Sequence, residues 1–193
     1  MLKRKRLVLL TPESWEDKND TEILSVYKER KGVNKLFVLC FSEGDETIHH
    51  WKAFADGISG CCVEFNQQKL IRLIKRTAER TSGIRYRMVK YKKISELKDG
   101  QINVEEIPFT KRWPYRCEAE FRIIWEGDTA EDFYEIEFDL SIISKITISQ
   151  RMPHHVYQTI KNHLRAVCND PDQRINRSTL YENKRWIEKF KDA

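Results

Sequence analysis

Short apolar runs alternate with longer charged stretches along this chain, and the period of each run assigns most of the elements. Residues 7–10 and 36–41 are brief continuous apolar runs and read as buried strands, and residues 61–65 read as another. Residues 11–20 form a turn-rich loop, after which Asp20 or Thr21 is placed to cap a helix reaching residue 30. Ser42 closes the 36–41 run and, with an acid three residues on, reads as the cap of a helix over 45–55. Residues 67–80 carry Leu70, Leu73, Ile74 and Ala78 at helical spacing. Residues 83–91 alternate with period two, Arg85 and Arg87 on one face and Ile84, Tyr86 and Met88 on the other. The stretch 92–114 has no sustained period. Residues 117–125 alternate again, with Cys117, Ala119, Phe121 and Ile123 on one side and Glu118, Glu120 and Arg122 on the other. Strands over 133–138, 145–149 and 174–177 follow. Helices are predicted over 153–167, with Pro153 in the first turn, and over 184–190. Helices come early and between strands, and alternating strands come late. This predicts an α+β fold, a single domain over 1–193, with a small mixed or split antiparallel sheet flanked by helices.

A hydrophobic fraction of 40% in 193 residues is enough for a core, while 34% charged residues give a heavily charged surface. No stretch approaches the roughly 18 apolar residues of a membrane helix, so no membrane partner is expected. The basic start, Met1 to Arg6, is followed by an apolar run too short for a signal peptide. Cys40, Cys61, Cys62, Cys117 and Cys168 are odd in number and form no CxxC pair. Reduced thiols in a cytoplasmic protein account for them better than disulfides or zinc.

Charge changes the picture most. The net charge is +5, and Lys69, Arg72, Lys75, Arg76, Arg80, Arg85, Arg87, Lys90, Lys92 and Lys93 are opposed in their stretch only by Glu79. Such a block calls for an anionic partner, nucleic acid, a phosphate-rich ligand or an acidic protein surface, beside the plainer reading of a solvated face. Lys69, Arg72 and Arg76 fall on one side of a helix, and Arg85 and Arg87 on one face of the next strand, making these five the nucleic-acid-binding candidates. Tyr86 and Tyr91 could stack on bases.

Two further groups could carry chemistry. Ser42 at a strand end, with Trp51 in the helix behind it, could build a pocket wall, although a capped helix with a core Trp explains the same residues. Glu118, Glu120 and Arg122 on one side of a strand could stabilise positive charge or hold a ribose hydroxyl, against the plainer reading of paired surface charges. Asp17, Asp20 and Glu120 are the acids a metal-dependent nuclease would use. The adjacent pairs His49–His50 and His154–His155 do not form a metal site, since neighbours on a helix diverge. There is no glycine-rich phosphate loop, no GxSxG elbow and no HExxH.

Residues 11–20 (TPESWEDKND), Cys40-Phe-Ser42, Trp51 with Ala55-Asp-Gly57, residues 60–65 (GCCVEF) and residues 115–122 (YRCEAEFR) occur in this order. In that order they resemble the bacterial and phage-associated family called domain of unknown function 2971. Ile146 to Ser149, Met152-Pro153 and Arg177-Ser-Thr179 extend the resemblance over nearly the whole chain. Family members carry an aromatic-rich strand ahead of the Asn-Asp loop, and here the chain starts almost at that loop. A weaker, pattern-level likeness is to ADP-ribosyltransferase-like domains, which use an early Arg or His, for which only Arg4 and Arg6 are candidates here, a Ser at the end of a middle strand and a late Glu-x-Glu. That likeness implies NAD as substrate, with Ser42, Trp51 and Arg122 binding it. Glu120 would stabilise the oxocarbenium-like state as nicotinamide leaves, and Glu118 would position or deprotonate the acceptor. Three readings therefore stand: an NAD-using transferase of bacterial stress or phage-conflict systems, a non-enzymatic nucleic-acid-binding or regulatory module, and, third, a metal-dependent nuclease using Asp17, Asp20 and Glu120.

Overall fold

The computed structural model describes residues 1–55, 57–98 and 102–191. In chain order the elements are β1 (Arg6–Leu10), α1 (Lys18–Lys31), β2 (Lys35–Ser42), α2 (Ile48–Phe54), β3 (Cys61–Phe65), α3 (Gln67–Arg80), β4 (Ile84–Met88) and β5 (Lys90–Lys92). They continue with β6 (Thr110–Arg112), β7 (Glu120–Gly127), β8 (Phe133–Glu137), β9 (Ile143–Ile148), α4 (His154–Cys168), β10 (Ile175–Arg177) and α5 (Lys184–Glu188). The fold is α+β, with antiparallel pairing dominant and helices flanking the sheets.

The chain folds as two compact units. The first is built mainly from Arg6–Gly44 and Ile71–Phe138, the second from Asp45–Leu70 and Asp139–Ala193. The first holds a sheet of order β4-β7-β2-β1-β8 and the short parallel pair β5-β6. The apolar run Phe121, Ile123, Ile124 and Trp125 suits β7 to an inner position, between β4 and β2, where both faces are covered. On one face Leu24 and Tyr27 of α1 pack with Leu36, Val38, Ile107, Phe109 and Ile124. On the other, Phe37 stacks on Trp125 at 5.5 Å and Trp125 on Tyr134 at 5.2 Å. The second unit carries β10-β9-β3, with β10 parallel and β3 antiparallel to β9. Its buried residues include Ile146, Ile148, Tyr157 and Ile175.

Element boundaries differ from the sequence reading where capping decides them. Helix α1 is capped by Asp17, whose carboxylate accepts from the amides of Asn19 at 3.1 Å and Asp20 at 3.4 Å, so Asp20 lies inside the helix. Helix α2 is capped by Thr47 rather than by Ser42, and Ser42 is the last residue of β2. The 117–125 strand begins only at Glu120. The residues before it, Trp113–Glu118, form 3₁₀ turns closed by Ala119 in the left-handed region at φ 42°.

One backbone position is held by a glycine for want of space. Gly83 has φ +86°, and a Cβ there would stand 2.1 Å from the carbonyl oxygen of Glu126, across the β4–β7 pair. Gly83→Ala combines positive-φ strain with a backbone clash. It is expected to cost at least about 2 kcal/mol in urea unfolding, and an unchanged midpoint would contradict this packing.

Candidate functional site

Helix α1 places Asp20, Leu24 and Tyr27 at steps of four and three, which is one stripe of a helix. Leu24 and Tyr27 bury against the sheet, and the same stripe carries the Asp20 carboxylate in with them. The register of the sheet brings its partners. Ser42 stands opposite Glu120 and Cys40 opposite Arg122, so these four share one face of β2 and β7. Arg122 is fully buried at 0% exposure and extends across that face. Its terminal nitrogens donate to both Asp20 oxygens at 3.0 and 2.6 Å, and Nε donates to Glu120 at 2.6 Å. A further donation reaches the Pro108 carbonyl at 2.9 Å.

The second cation comes from a segment whose sequence shows no period. In the parallel pair β5-β6, Tyr91 stands opposite Lys111 and Lys92 opposite Arg112. Alternation therefore turns Tyr91 and Lys111 one way and Lys92 and Arg112 the other. The Lys111 ammonium reaches Glu118 at 2.7 Å and Glu120 at 3.4 Å, lies 3.6 Å from Asp20, and sits over the Tyr115 ring at 4.8 Å. The Tyr91 hydroxyl accepts from the Glu120 amide at 2.8 Å. The assembly is a buried cluster of three carboxylates, Asp20, Glu118 and Glu120, around two cations, Lys111 and Arg122.

Electrostatics follow from that packing. Burial would raise the Glu120 carboxyl, but Arg122, a hydrogen bond from the Cys40 thiol, and Lys111 outweigh it and hold its pKa below the ordinary range. Burial would likewise lower Lys111, and the carboxylates of Glu118, Glu120 and Asp20 raise it instead. Burial raises Tyr91 to about 12, helped by the charge of Glu120. Cys40 has exposed surface, yet crowding by protein and then the charges of Glu120 and Asp20 push its thiol well up, with Arg122 opposing.

The residues singled out from sequence separate into three environments. Ser42, Glu118, Glu120 and Arg122 do converge, but not as one strand face. Glu118 lies in the 3₁₀ turn, and the left-handed Ala119 swings the chain so that both carboxylates meet Lys111. The Ser42 hydroxyl donates to the Glu118 carbonyl at 2.6 Å. Glu120 is only 4% exposed and Glu118 7%, and both spend their oxygens on cations of the chain. Asp20 and Glu120 share Arg122. Asp17 caps α1, and among the described residues no group of three or more His, Cys, Asp or Glu is placed to hold a metal. Trp51 belongs to the second unit, where its indole donates to Glu46 at 2.7 Å.

The basic block is divided as well. Lys69, Arg72 and Arg76 are exposed along α3, and Lys69 reaches the Ser141 carbonyl at 3.0 Å. Arg85 does not extend that stripe. It turns under the sheet to the Tyr27 hydroxyl at 2.6 Å and to Glu105 at 3.0 Å, because its face of β4 is the face α1 covers. The Tyr27 hydroxyl in turn donates to Glu126. Arg87 is exposed at the end of the same strand, beside the Phe109 ring at 5.7 Å.

A cationic surface that the sequence reading passed over lies on the outward side of β5-β6. Trp113 is 40% exposed, with Arg116 at 4.9 Å and Lys93 at 5.5 Å from its ring centroid. Lys92 and Arg112 are paired in register beside it. Among the described residues no ion pair engages Lys92, Lys93, Arg112 or Arg116, whereas Lys90 is paired with Glu106 at 2.8 Å. Its sequence signal was the KYKK run followed by KRWPYR, two cationic stretches that each interleave an aromatic residue.

No family model, no curated protein and no solved structure matches this chain. No helix among the described residues is long and apolar enough to cross a membrane.

Proposed function

We propose that this protein is a non-enzymatic module that binds single-stranded nucleic acid through Trp113 and the cations around it. The observation that supports this most is the exposed indole between Lys93 and Arg116, next to the register pair Lys92 and Arg112, with none of these four side chains in an ion pair among the described residues and the Glu96 carboxylate taken by the Lys93 amide at 2.6 Å. An indole face is a stacking surface for any base, and four unpaired cations match phosphates on either side of it. The base takes the place of the Lys93 ammonium on the ring, and that ammonium moves to a phosphate. The buried ion cluster behind this surface orients it. Lys111 is pinned by Glu118 and Glu120, so its strand neighbour Arg112 is held outward. The contacts are to backbone phosphate and ring faces, which makes sequence preference weak.

Fluorescence anisotropy with short DNA and RNA oligomers tests the reading. The native chain is expected to bind both, more weakly as salt rises, and Trp113→Ala is expected to lower affinity about tenfold through loss of one stacked base. Absence of binding at low salt would leave the surface as a dock for an acidic protein.

The alternative, an NAD-using transferase, makes a different demand. Glu120 would have to leave Arg122 and Lys111 to meet a ribose hydroxyl. Its signature is nicotinamide release from millimolar NAD that Glu120→Gln abolishes. Under the binding reading no nicotinamide is released by either chain.

A further inference from the structure

We propose that the second unit binds the 5′-phosphoribosyl part of a nucleotide in the cleft beyond the carboxyl ends of β9 and β10. These two strands are parallel, and each runs directly into a serine, Ser149 after Ile148 and Ser178 after Arg177. The Ser178 amide donates to the Ile148 carbonyl at 2.9 Å, which keeps the two exits side by side. This is the end of a parallel strand pair at which open α/β sheets hold their ligands.

The third wall is set by β3. The Ser149 amide donates to the Gly60 carbonyl at 3.0 Å, and its hydroxyl donates to the Gly57 carbonyl at 3.0 Å. A Cβ on Gly60 would stand 2.5 Å from that of Ala55, so the loop closes tightly only with glycine there. This closure brings Trp51 and Lys52 against the strand ends. The resulting cleft has a volume of about 200 Å³ and is lined also by Arg151 and Tyr181.

Its chemistry is cationic and aromatic. Among the described residues neither Lys52 nor Arg151 has an ion-pair partner, and the described lining has no acid. The Arg151 guanidinium lies 5.4 Å from the centroid of the Tyr181 ring. The buried Ser178 hydroxyl accepts from the Leu180 amide at 3.4 Å and has no acceptor for its own proton among the described residues. Two cations and a free hydroxyl donor converge where a phosphate dianion would satisfy all three. Trp51 is fixed by its bond to Glu46, and Tyr181 by its amide's bond to the Gln150 side chain at 2.8 Å. The Trp51 ring therefore stands ready without further ordering. The volume lies below the roughly 300 Å³ at which pockets begin to enclose drug-sized ligands. It takes a phosphate and ribose, leaving the base on the 48%-exposed Tyr181. A whole dinucleotide does not fit inside it.

The test titrates the full chain with 5′-AMP, adenosine, ribose 5-phosphate and a 5′-phosphorylated trinucleotide by calorimetry. AMP is expected to saturate in the millimolar range or below, with adenosine at least roughly tenfold weaker because the charge-assisted contacts are lost. Lys52→Met and Arg151→Met should each weaken AMP by roughly tenfold with an unchanged urea midpoint. Tyr181→Ala should weaken AMP and leave ribose 5-phosphate unaffected. Trp113→Ala should leave AMP binding intact, which separates this site from the proposed strand-binding surface. Trinucleotide binding that depends on its 5′-phosphate assigns the group to a strand end, and its absence assigns it to the free nucleotide. No saturation with AMP, equal binding of adenosine, indifference to Arg151→Met, or loss in Trp113→Ala overturns the proposal.

Discussion

Arg122→Ala is expected to destabilise the chain by about 3–5 kcal/mol at neutral pH, the largest effect of any single substitution considered. The guanidinium is fully buried and bonds Asp20 at two oxygens and Glu120 at two. Removing it leaves three buried carboxylates to share Lys111 alone. The pH dependence gives the claim a sign. In the native chain the Glu120 pKa is held below its unfolded value. Its contribution is present above the unfolded value, near pH 4.3, and is lost as pH falls through the lower folded value. In the variant, burial acts on Glu120 without Arg122 to oppose it, so its folded pKa rises above the unfolded one. The variant then gains stability as pH falls toward the unfolded value, and the gap between the two chains narrows between about pH 7 and pH 5. Urea unfolding at both values reads this directly, and a gap that widens, or one below about 1 kcal/mol, contradicts the assignment. Where Arg122→Ala fails to fold, combining Arg122→Leu with Asp20→Asn and Glu120→Gln is expected to restore folding. Neutral groups of similar volume remove the unpaired charges that cause the loss.

Replacing Lys92, Lys93, Arg112 and Arg116 together with serine is expected to lower oligonucleotide affinity by at least about 100-fold at roughly 0.05 M salt. Each phosphate contact to a single strand contributes about 0.7 to the slope of log affinity against log salt, so losing four should flatten it by nearly 3. The same four substitutions touch no ion pair among the described residues, so the urea midpoint should move little. Anisotropy titrations at two salt concentrations give both quantities. A comparison with Lys69, Arg72 and Arg76 changed to serine on α3 separates the two basic surfaces. If the α3 variant loses affinity and the β5-β6 variant does not, Trp113 is not the contact.

The strands and helices with strong periods were legible from the chain alone. β3, α3 and the alternating faces of β4 are set by spacing, because side-chain direction repeats every two residues in a strand and every three to four in a helix. Glu120 and Arg122 on one face of β7 followed from the same rule. What the chain alone could not show was which face would be covered. Arg85 and Arg87 share a face by alternation. α1 and Phe109 lie over it, and so Arg85 became a half-buried partner of Tyr27 and Glu105 while Arg87, two residues on, stayed exposed. Asp20 looked like a cap because capping is a local signal, but Asp17 holds that position, and the stripe it sets carries Asp20 into the sheet. Lys111 was silent because β6 is three residues long, too short for a period, and its direction comes from pairing with β5 across a long loop. Local spacing thus determined the elements and the faces of each strand. Only the packing of distant segments decided that the acidic strand end would be neutralised within the protein, and that Lys92 and Arg112 would face outward from β5-β6 while Lys111 turned in. Burial of a charge depends on what lies over it, and that is a property of contacts far apart in the chain.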